Sequence, residues 1–152
     1  MPKFAGTESR VFTIRAPFDK VVGTMTEPDK FRAYFLDLVR FEKVNDTTWR
    51  WVLEEKNEKG VRFQGDYTVK YTWDGKRELT WETVNPGNMT SVGRATFVKE
   101  GETATRVDYT ETIECDMDVN RILAAVIKPI VNREIAKGVG GYLDAVKAGI
   151  EK

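Results

Sequence analysis

The chain has 152 residues, which is enough for one domain whose core needs neither a disulfide nor a metal ion. Its 24 basic and 24 acidic side chains balance, so it lacks the basic excess that nucleic-acid-binding proteins use against phosphates. Because the chain contains no histidine, it cannot form a Ser-His-Asp triad or a metal site that needs imidazole.

The expected cellular setting follows from the cysteine count and the hydropathy. The one cysteine, Cys115, cannot form an internal disulfide. The N-terminal residues lack the apolar stretch of a secretory signal, and no apolar run approaches the roughly 18–20 residues of a transmembrane helix. We therefore expect a cytoplasmic protein with no transmembrane segment, no nucleic-acid partner and no cofactor.

The first predicted elements are one strand and two short helices. Ser9–Arg15 is rich in β-branched and aromatic residues and predicts a strand. Pro17 is compatible with the first turn of a helix, and the apolar spacing over Phe18–Thr24 is helical. A second short helix is predicted over Pro28–Phe35.

From Leu38 to Cys115 the apolar residues alternate with polar ones. Turn-forming Gly, Asn, Asp and Pro residues divide this region into strands with short connections, which is typical of an antiparallel meander. One face of the resulting sheet is polar and the other is aromatic and apolar. The predicted strands are Leu38–Val44, Thr48–Glu55, Val61–Trp73, Arg77–Val84, Ser91–Lys99 and Thr103–Cys115.

The C-terminal segment, Val119–Lys152, predicts one long helix with Asp118 as its N-cap. Its apolar residues form two overlapping stripes. These are Val119, Leu123, Val126 and Ile130, and Ile127, Val131, Ile135, Val139, Tyr142, Val146 and Ile150. The phase changes near Pro129, which removes one helix hydrogen bond, so we expect the helix to bend there.

The order of these elements and several short segments resemble a known superfamily. The segments are Val11–Pro17 with Val21 and Val22, Gly93–Phe97, Thr105–Thr110, and the break at Lys128 and Pro129. The chain is similar to the START and birch-pollen-allergen superfamily (SRPBCC), and within it to the polyketide cyclase/dehydrase or CoxG-like branch.

The resemblance implies a single α+β helix-grip domain over residues 1–152. In that fold a seven-stranded curved antiparallel sheet wraps around the long C-terminal helix, and two short helices follow the first strand. The resemblance also implies an apolar cavity between the sheet and this helix. It brings no catalytic residue, because the superfamily has no universal one.

The aromatic face of the sheet supplies the candidate ligand-binding residues. They are Phe63, Tyr67, Tyr71, Trp81, Phe97, Tyr109 and Glu111, joined by Val126 and Ile130 from the helix. Buried tyrosine hydroxyls need hydrogen-bond partners, which favours a cavity with a ligand. We expect a cavity of about 300–1,000 Å³, the usual range for ligand sites. The alternative is that these rings fill an ordinary core.

Alternation places the acidic side chain of Glu111 on the apolar face, between Tyr109 and Ile113. Burial would raise its pKa and make it a candidate general acid or base. Arg94 and Arg106 have the opposite alternation, so a tyrosine hydroxyl is the expected partner. Alternatively, a β-bulge would turn Glu111 to solvent.

The acidic residues Glu111, Glu114, Asp116 and Asp118 lie close together in the sequence. A hard cation needs several oxygens that converge on one point. Alternation separates Glu111 from Glu114, and Asp118 is the expected helix cap, so we predict no metal site.

Three functions are compatible with these observations. The first is binding of a small hydrophobic molecule such as a lipid, an isoprenoid or an aromatic or polyketide-like compound. The second is a polyketide cyclase or dehydratase that uses Glu111 and pocket tyrosines without a metal. The third is a co-chaperone-like interaction module with a vestigial cavity. A homodimer is compatible with each of them.

Overall fold

The computed structural model describes residues 2–85 and 87–152, which form nine strands and three α-helices. Met1, and Pro86 in one of the predicted turns, lie outside the described residues. The strands are β1 (Lys3–Ile14), β2 (Leu38–Asn45), β3 (Thr48–Leu53), β4 (Lys56–Glu58), β5 (Val61–Phe63), β6 (Asp66–Trp73), β7 (Glu78–Asn85), β8 (Met89–Lys99) and β9 (Thr105–Asp116). The helices are α1 (Phe18–Met25), α2 (Pro28–Phe31) and α3 (Arg121–Ile150), and a 3₁₀ turn over Arg32–Tyr34 follows α2.

Seven strands form one antiparallel sheet in the order β1-β9-β8-β7-β6-β3-β2. The sheet curves around α3, so the predicted α+β helix-grip fold is confirmed. Strand β1 is longer than predicted, since it begins at Lys3 instead of Ser9 and pairs with β9 along its whole length. The partner strand supplies the hydrogen bonds there, although the glycine and charged residues at the start of β1 do not favour a strand by themselves.

The predicted strand Val61–Trp73 is wrong as a single element. Its first part is β5, which pairs with β4 in a separate hairpin, and its second part is β6 in the main sheet. The break lies at Gln64 and Gly65. The side-chain amide of Gln64 donates a hydrogen bond to the carbonyl of Leu53, and the carbonyl of Gly65 accepts one from the N–H of Leu53. These two bonds hold the hairpin beside the end of β3.

Strand β9 pairs with β1 and β8 without a bulge on either side. The alternation of its side chains therefore continues without interruption from Val107 to Ile113, and Val107, Tyr109 and Ile113 are all buried. The bulge that would turn Glu111 to solvent is absent from these described strands. Glu111 consequently faces the same side of the sheet as Tyr109 and Ile113.

Helix α3 begins two residues later than predicted, and its N-cap is Asn120 instead of Asp118. The Asn120 side chain accepts a hydrogen bond from the N–H of Leu123 at 2.8 Å, which satisfies one free donor of the first turn. The helix is continuous through Pro129. The expected bend at this residue stays a prediction.

The core lies between the sheet and one side of α3. The stripe that starts at Ile127 is buried, whereas the stripe that contains Val126 is half-buried or exposed. Aromatic side chains fill the end of the core near α2, where Trp51 is fully buried and stacks on Phe35 with ring centroids 4.6 Å apart. In the described parts of the chain, no helix has the length and apolar character needed to cross a membrane.

Candidate functional site

A cavity of about 250 Å³ lies between α3 and the concave face of the sheet. The segment around Leu36 and the β4–β5 hairpin also border it. Its apolar wall includes Leu53, Met89, Ile113, Ile127, Val131 and Ile135. The cavity is smaller than the predicted 300–1,000 Å³, because neighbouring aromatic side chains pack against one another and occupy part of the interior.

Glu111 borders this cavity and also a void of about 20 Å³ beside it. The Ser91 hydroxyl donates a hydrogen bond to Oε2 of Glu111 at 2.5 Å, and the Tyr109 hydroxyl donates to Oε1 at 2.7 Å. The indole N–H of Trp81 donates to the oxygen of Ser91 at 3.0 Å, which directs the Ser91 proton towards Glu111. The carboxyl group is thus held in one orientation by a chain of hydrogen bonds.

The register of three neighbouring strands brings these side chains together. Trp81 on β7 pairs with Gly93 on β8, and Gly93 pairs with Glu111 on β9. A Cβ atom at Gly93 would collide with the Trp81 ring and approach the Thr110 carbonyl oxygen to 2.6 Å. Glycine therefore leaves the space in which the indole lies across β8 and reaches Ser91.

The surroundings of Glu111 favour its neutral form. Burial raises the pKa of Glu111, and the hydrogen bonds from Ser91 and Tyr109 offset part of that effect. The side chain is half-buried because it lines the cavity. Among the described residues that line the cavity, the cations are Lys56 and Lys137, and both are exposed.

Tyrosine hydroxyls supply the other polar groups of the interior. Tyr67 and Tyr142 line both the cavity and the void, and Tyr71 lines the void. Burial is the main cause that raises the pKa of each of these hydroxyls, and the charge of a neighbouring group is the second. All three hydroxyls therefore stay protonated. They can therefore both donate to and accept from a bound molecule.

The structure places most of the candidate binding residues around these two spaces. Phe63, Tyr67 and Ile130 line the cavity; Tyr67, Tyr71, Trp81 and Tyr109 line the void; Glu111 lines both. Phe97 and Val126 line neither. Phe97 is buried edge-to-face against Trp73 with centroids 6.0 Å apart, and Val126 is 49% exposed because α3 presents the Ile127 side to the sheet.

Two polar residues of the site were missed from the sequence, Ser91 and Tyr142. Ser91 has the same alternation as Gly93 and Ala95, so its inward direction could have been predicted. Tyr142 belongs to the buried stripe of α3 and lines the cavity. Its hydroxyl could have indicated a polar group in the site, because a buried tyrosine hydroxyl needs a hydrogen-bond partner.

Cys115 and the nearby carboxylates form no reactive centre. Burial raises the pKa of the Cys115 thiol to about 12, so the thiol stays protonated and weakly nucleophilic. Glu114 points away from Glu111 and forms an ion pair with Lys3 at 3.5 Å. In the described segments, no group of three or more acidic or cysteine side chains is arranged for a metal ion.

Several solved structures of low sequence identity share this architecture. A protein of Thermus thermophilus is 18% identical, with a TM-score of 0.72 over 98% of this chain and 97% of that chain. A START superfamily protein from Mycobacterium smegmatis is 11% identical, with a TM-score of 0.69 over 95% and 97%. The Zhui aromatase/cyclase from a Streptomyces species is 12% identical, with a TM-score of 0.74 over 97% and 94%.

These likenesses confirm the predicted resemblance at the level of the fold. The chain has the helix-grip fold that START superfamily proteins share. No protein-family model and no curated protein matches the sequence.

Proposed function

We propose that the protein binds a small, largely apolar molecule in the cavity between α3 and the sheet, with Glu111 as the polar anchor. The observation that carries this proposal is the cavity itself, which is open and apolar and holds one oriented carboxyl group. Apolar walls with a few directed polar groups are the usual make-up of a ligand site.

The cavity volume limits the size of the ligand. An apolar cavity of about 150 Å³ in another protein holds benzene, so about 250 Å³ suits a compound of one or two fused rings. Tyr67 and Tyr142 line the cavity beside Glu111 and offer hydroxyls to polar substituents. A START superfamily protein and an aromatase/cyclase among the structural neighbours are compatible with this class of ligand.

Two isoleucines of α3 provide a matched test of the proposal. Ile130 lines the cavity, whereas Ile122 is 82% exposed two turns earlier on the same helix. A fluorescent apolar dye should bind the wild-type protein and Ile122→Phe alike, and about tenfold more weakly to Ile130→Phe, whose larger ring occupies the site. Equal dye affinity in both variants would contradict the proposal. Native mass spectrometry of the purified protein should also detect a bound small molecule.

A second candidate function is catalysis of a cyclase or dehydratase type. The specific observation in its favour is Glu111, whose raised pKa and position in the cavity suit a general acid or base. Polyketide-like diketones incubated with the protein should then be converted, as followed by NMR, and Glu111→Gln should abolish conversion without abolishing dye binding.

A cavity open to ligands disfavours the third alternative, an interaction module with a vestigial cavity.

A further inference from the structure

The charges around the cavity are predominantly negative. Besides Glu111, the cavity is lined by four carboxylates, those of Asp37, Glu54, Glu58 and Glu134, and by the two ammonium groups of Lys56 and Lys137. The two lysines are exposed, so neither compensates the charge of Glu111 in the interior. A cation that enters the cavity is therefore attracted both at the rim and at the centre.

Aromatic rings surround Glu111 on the sheet and on α3. The Tyr109 ring centroid lies 5.3 Å from Trp81 and 6.2 Å from Tyr142, and Tyr71 lies 6.2 Å from Trp81. Such ring faces attract ammonium groups because of their negative quadrupoles. In the described part of the chain, the cation–π contacts involve Arg32 and Lys43 on other rings, so these four rings have no protein cation as a partner.

The carboxyl group of Glu111 has unused acceptor capacity. A carboxylate offers about four acceptor sites, and the protein fills one on each oxygen, from Ser91 and Tyr109. The remaining sites are available to a donor in the cavity or the adjoining void that Glu111 borders. An N–H donor with a positive charge would form a stronger bond there than a neutral hydroxyl.

We propose that the ligand of this site is an aromatic amine in its ammonium form, with the N–H groups on Glu111 and the ring in the apolar part of the cavity. This inference rests on the proposed function and adds the chemical class of the ligand. The ammonium group supplies the positive charge that the described lining residues, whose cations are the exposed Lys56 and Lys137, do not place beside Glu111. Tyr142 in the cavity, and Tyr71, Trp81 and Tyr109 at the adjoining void, bring aromatic rings near the same charge.

The inference has a consequence for pH. The titratable groups that line the cavity or the void together with Glu111 are Tyr67, Tyr71, Tyr109, Tyr142 and Cys115, in addition to the six charged rim residues. The tyrosines and the cysteine stay protonated at neutral pH, because burial raises the pKa of each. Ionisation of Glu111 is thus the interior change that strengthens binding of an ammonium group as the pH rises.

Isothermal titration calorimetry with naphthylethylamine and naphthylethanol tests the inference, because the two compounds differ in the amine and the hydroxyl alone. An alkylammonium group, like that of lysine, keeps its charge to about pH 10. The amine should bind at least about tenfold more tightly than the alcohol at pH 8, a difference typical of a charged hydrogen bond with cation–π contacts. The preference should shrink towards pH 5, and amine binding should release protons.

The variants Glu111→Gln and Glu82→Gln distinguish the effect of the interior carboxyl group on amine binding from the effect of an exposed carboxylate. Glu82 is exposed on the outer face of β7, so Glu82→Gln should keep the preference for the amine, whereas Glu111→Gln should remove the preference and its pH dependence. The pH dependence of the wild-type protein gives the same information if Glu111→Gln does not fold.

An alcohol that binds as tightly as the amine overturns the amine inference and leaves the proposed function intact. That result would mean that Glu111 acts as a neutral hydrogen-bonding group. If neither compound binds, the amine inference is again overturned, and the dye comparison of Ile130→Phe with Ile122→Phe then decides whether the proposed function stands.

Discussion

Replacement of Glu111 by glutamine should stabilise the protein at neutral pH. Glutamine has the same shape, and its carbonyl can accept from Ser91 while its amide donates to the Tyr109 hydroxyl, so both contacts of the site are kept. The change removes a group that is costly to ionise in the folded protein, because burial raises the pKa of Glu111.

The size of the effect follows from proton linkage. Above the ordinary pKa of 4.5 the unfolded chain ionises Glu111, whereas the folded protein keeps the proton until its own higher pKa is reached. In this interval the free energy of unfolding falls by about 1.4 kcal/mol per pH unit, and above the folded pKa the penalty stays constant. For a chain of this size, the melting temperature should fall by about 3–5 °C per pH unit over the same interval.

Thermal melts of the wild-type protein and Glu111→Gln between about pH 4 and 8 measure this term. The difference between the two curves isolates Glu111 from the other titrating groups. It should be small at low pH, grow in favour of Glu111→Gln as the pH rises, and then level off. Glu82→Gln, which changes an exposed carboxylate on the outer face, should give a curve parallel to that of the wild type. Parallel curves for Glu111→Gln as well would refute the reasoning, because they would mean that Glu111 is fully solvated.

Two further predictions concern the neighbours of Glu111. Tyr109→Phe removes a hydrogen bond that lowers the pKa of Glu111, so the interval in which stability falls should extend to higher pH in the same melts; an unchanged interval would exclude this donor. Gly93→Ala should destabilise the protein by about 1–3 kcal/mol in urea unfolding, because the new Cβ collides with Trp81. Gly138→Ala is the control, because Gly138 lies in the middle of α3 and a Cβ atom there meets no other atom within 4 Å. This control substitution should stabilise the protein by up to about 1 kcal/mol, since alanine favours the helix more than glycine does. Equal effects of the two glycine variants would exclude the close approach of the indole.

The alternation of residues in β9 was sufficient to predict the side of the sheet on which Glu111 lies. A strand that pairs without a bulge keeps a period of two, so its faces can be read directly from the sequence. The period of the C-terminal helix likewise predicted the buried stripe through Ile127 and Tyr142. The short connections were enough to predict an antiparallel meander, because they restrict which strands can be neighbours, and the resemblance to the START and birch-pollen-allergen superfamily supplied the helix-grip arrangement.

The hydrogen-bond partners of Glu111 were decided by the tertiary structure. Ser91 reaches the carboxyl group because β8 pairs with β9 in one particular register, and a pattern of alternation gives the face of a residue but not its position along the neighbouring strand. The pairing of β1 with β9 depends on a partner strand that is distant in the chain. The separation of β5 from β6 depends on the hydrogen bonds to Leu53.

The shape of the cavity also depended on packing in three dimensions. Ile130 lines the cavity and Val126 is exposed, although both belong to one apolar stripe, because the rotation of α3 against the sheet decides which side chain meets the interior. Phe97 was expected in the cavity wall and instead packs on Trp73. Hydrophobic burial has no preferred direction, so a sequence pattern can place aromatic residues inside but cannot determine which of them leave an empty space between them.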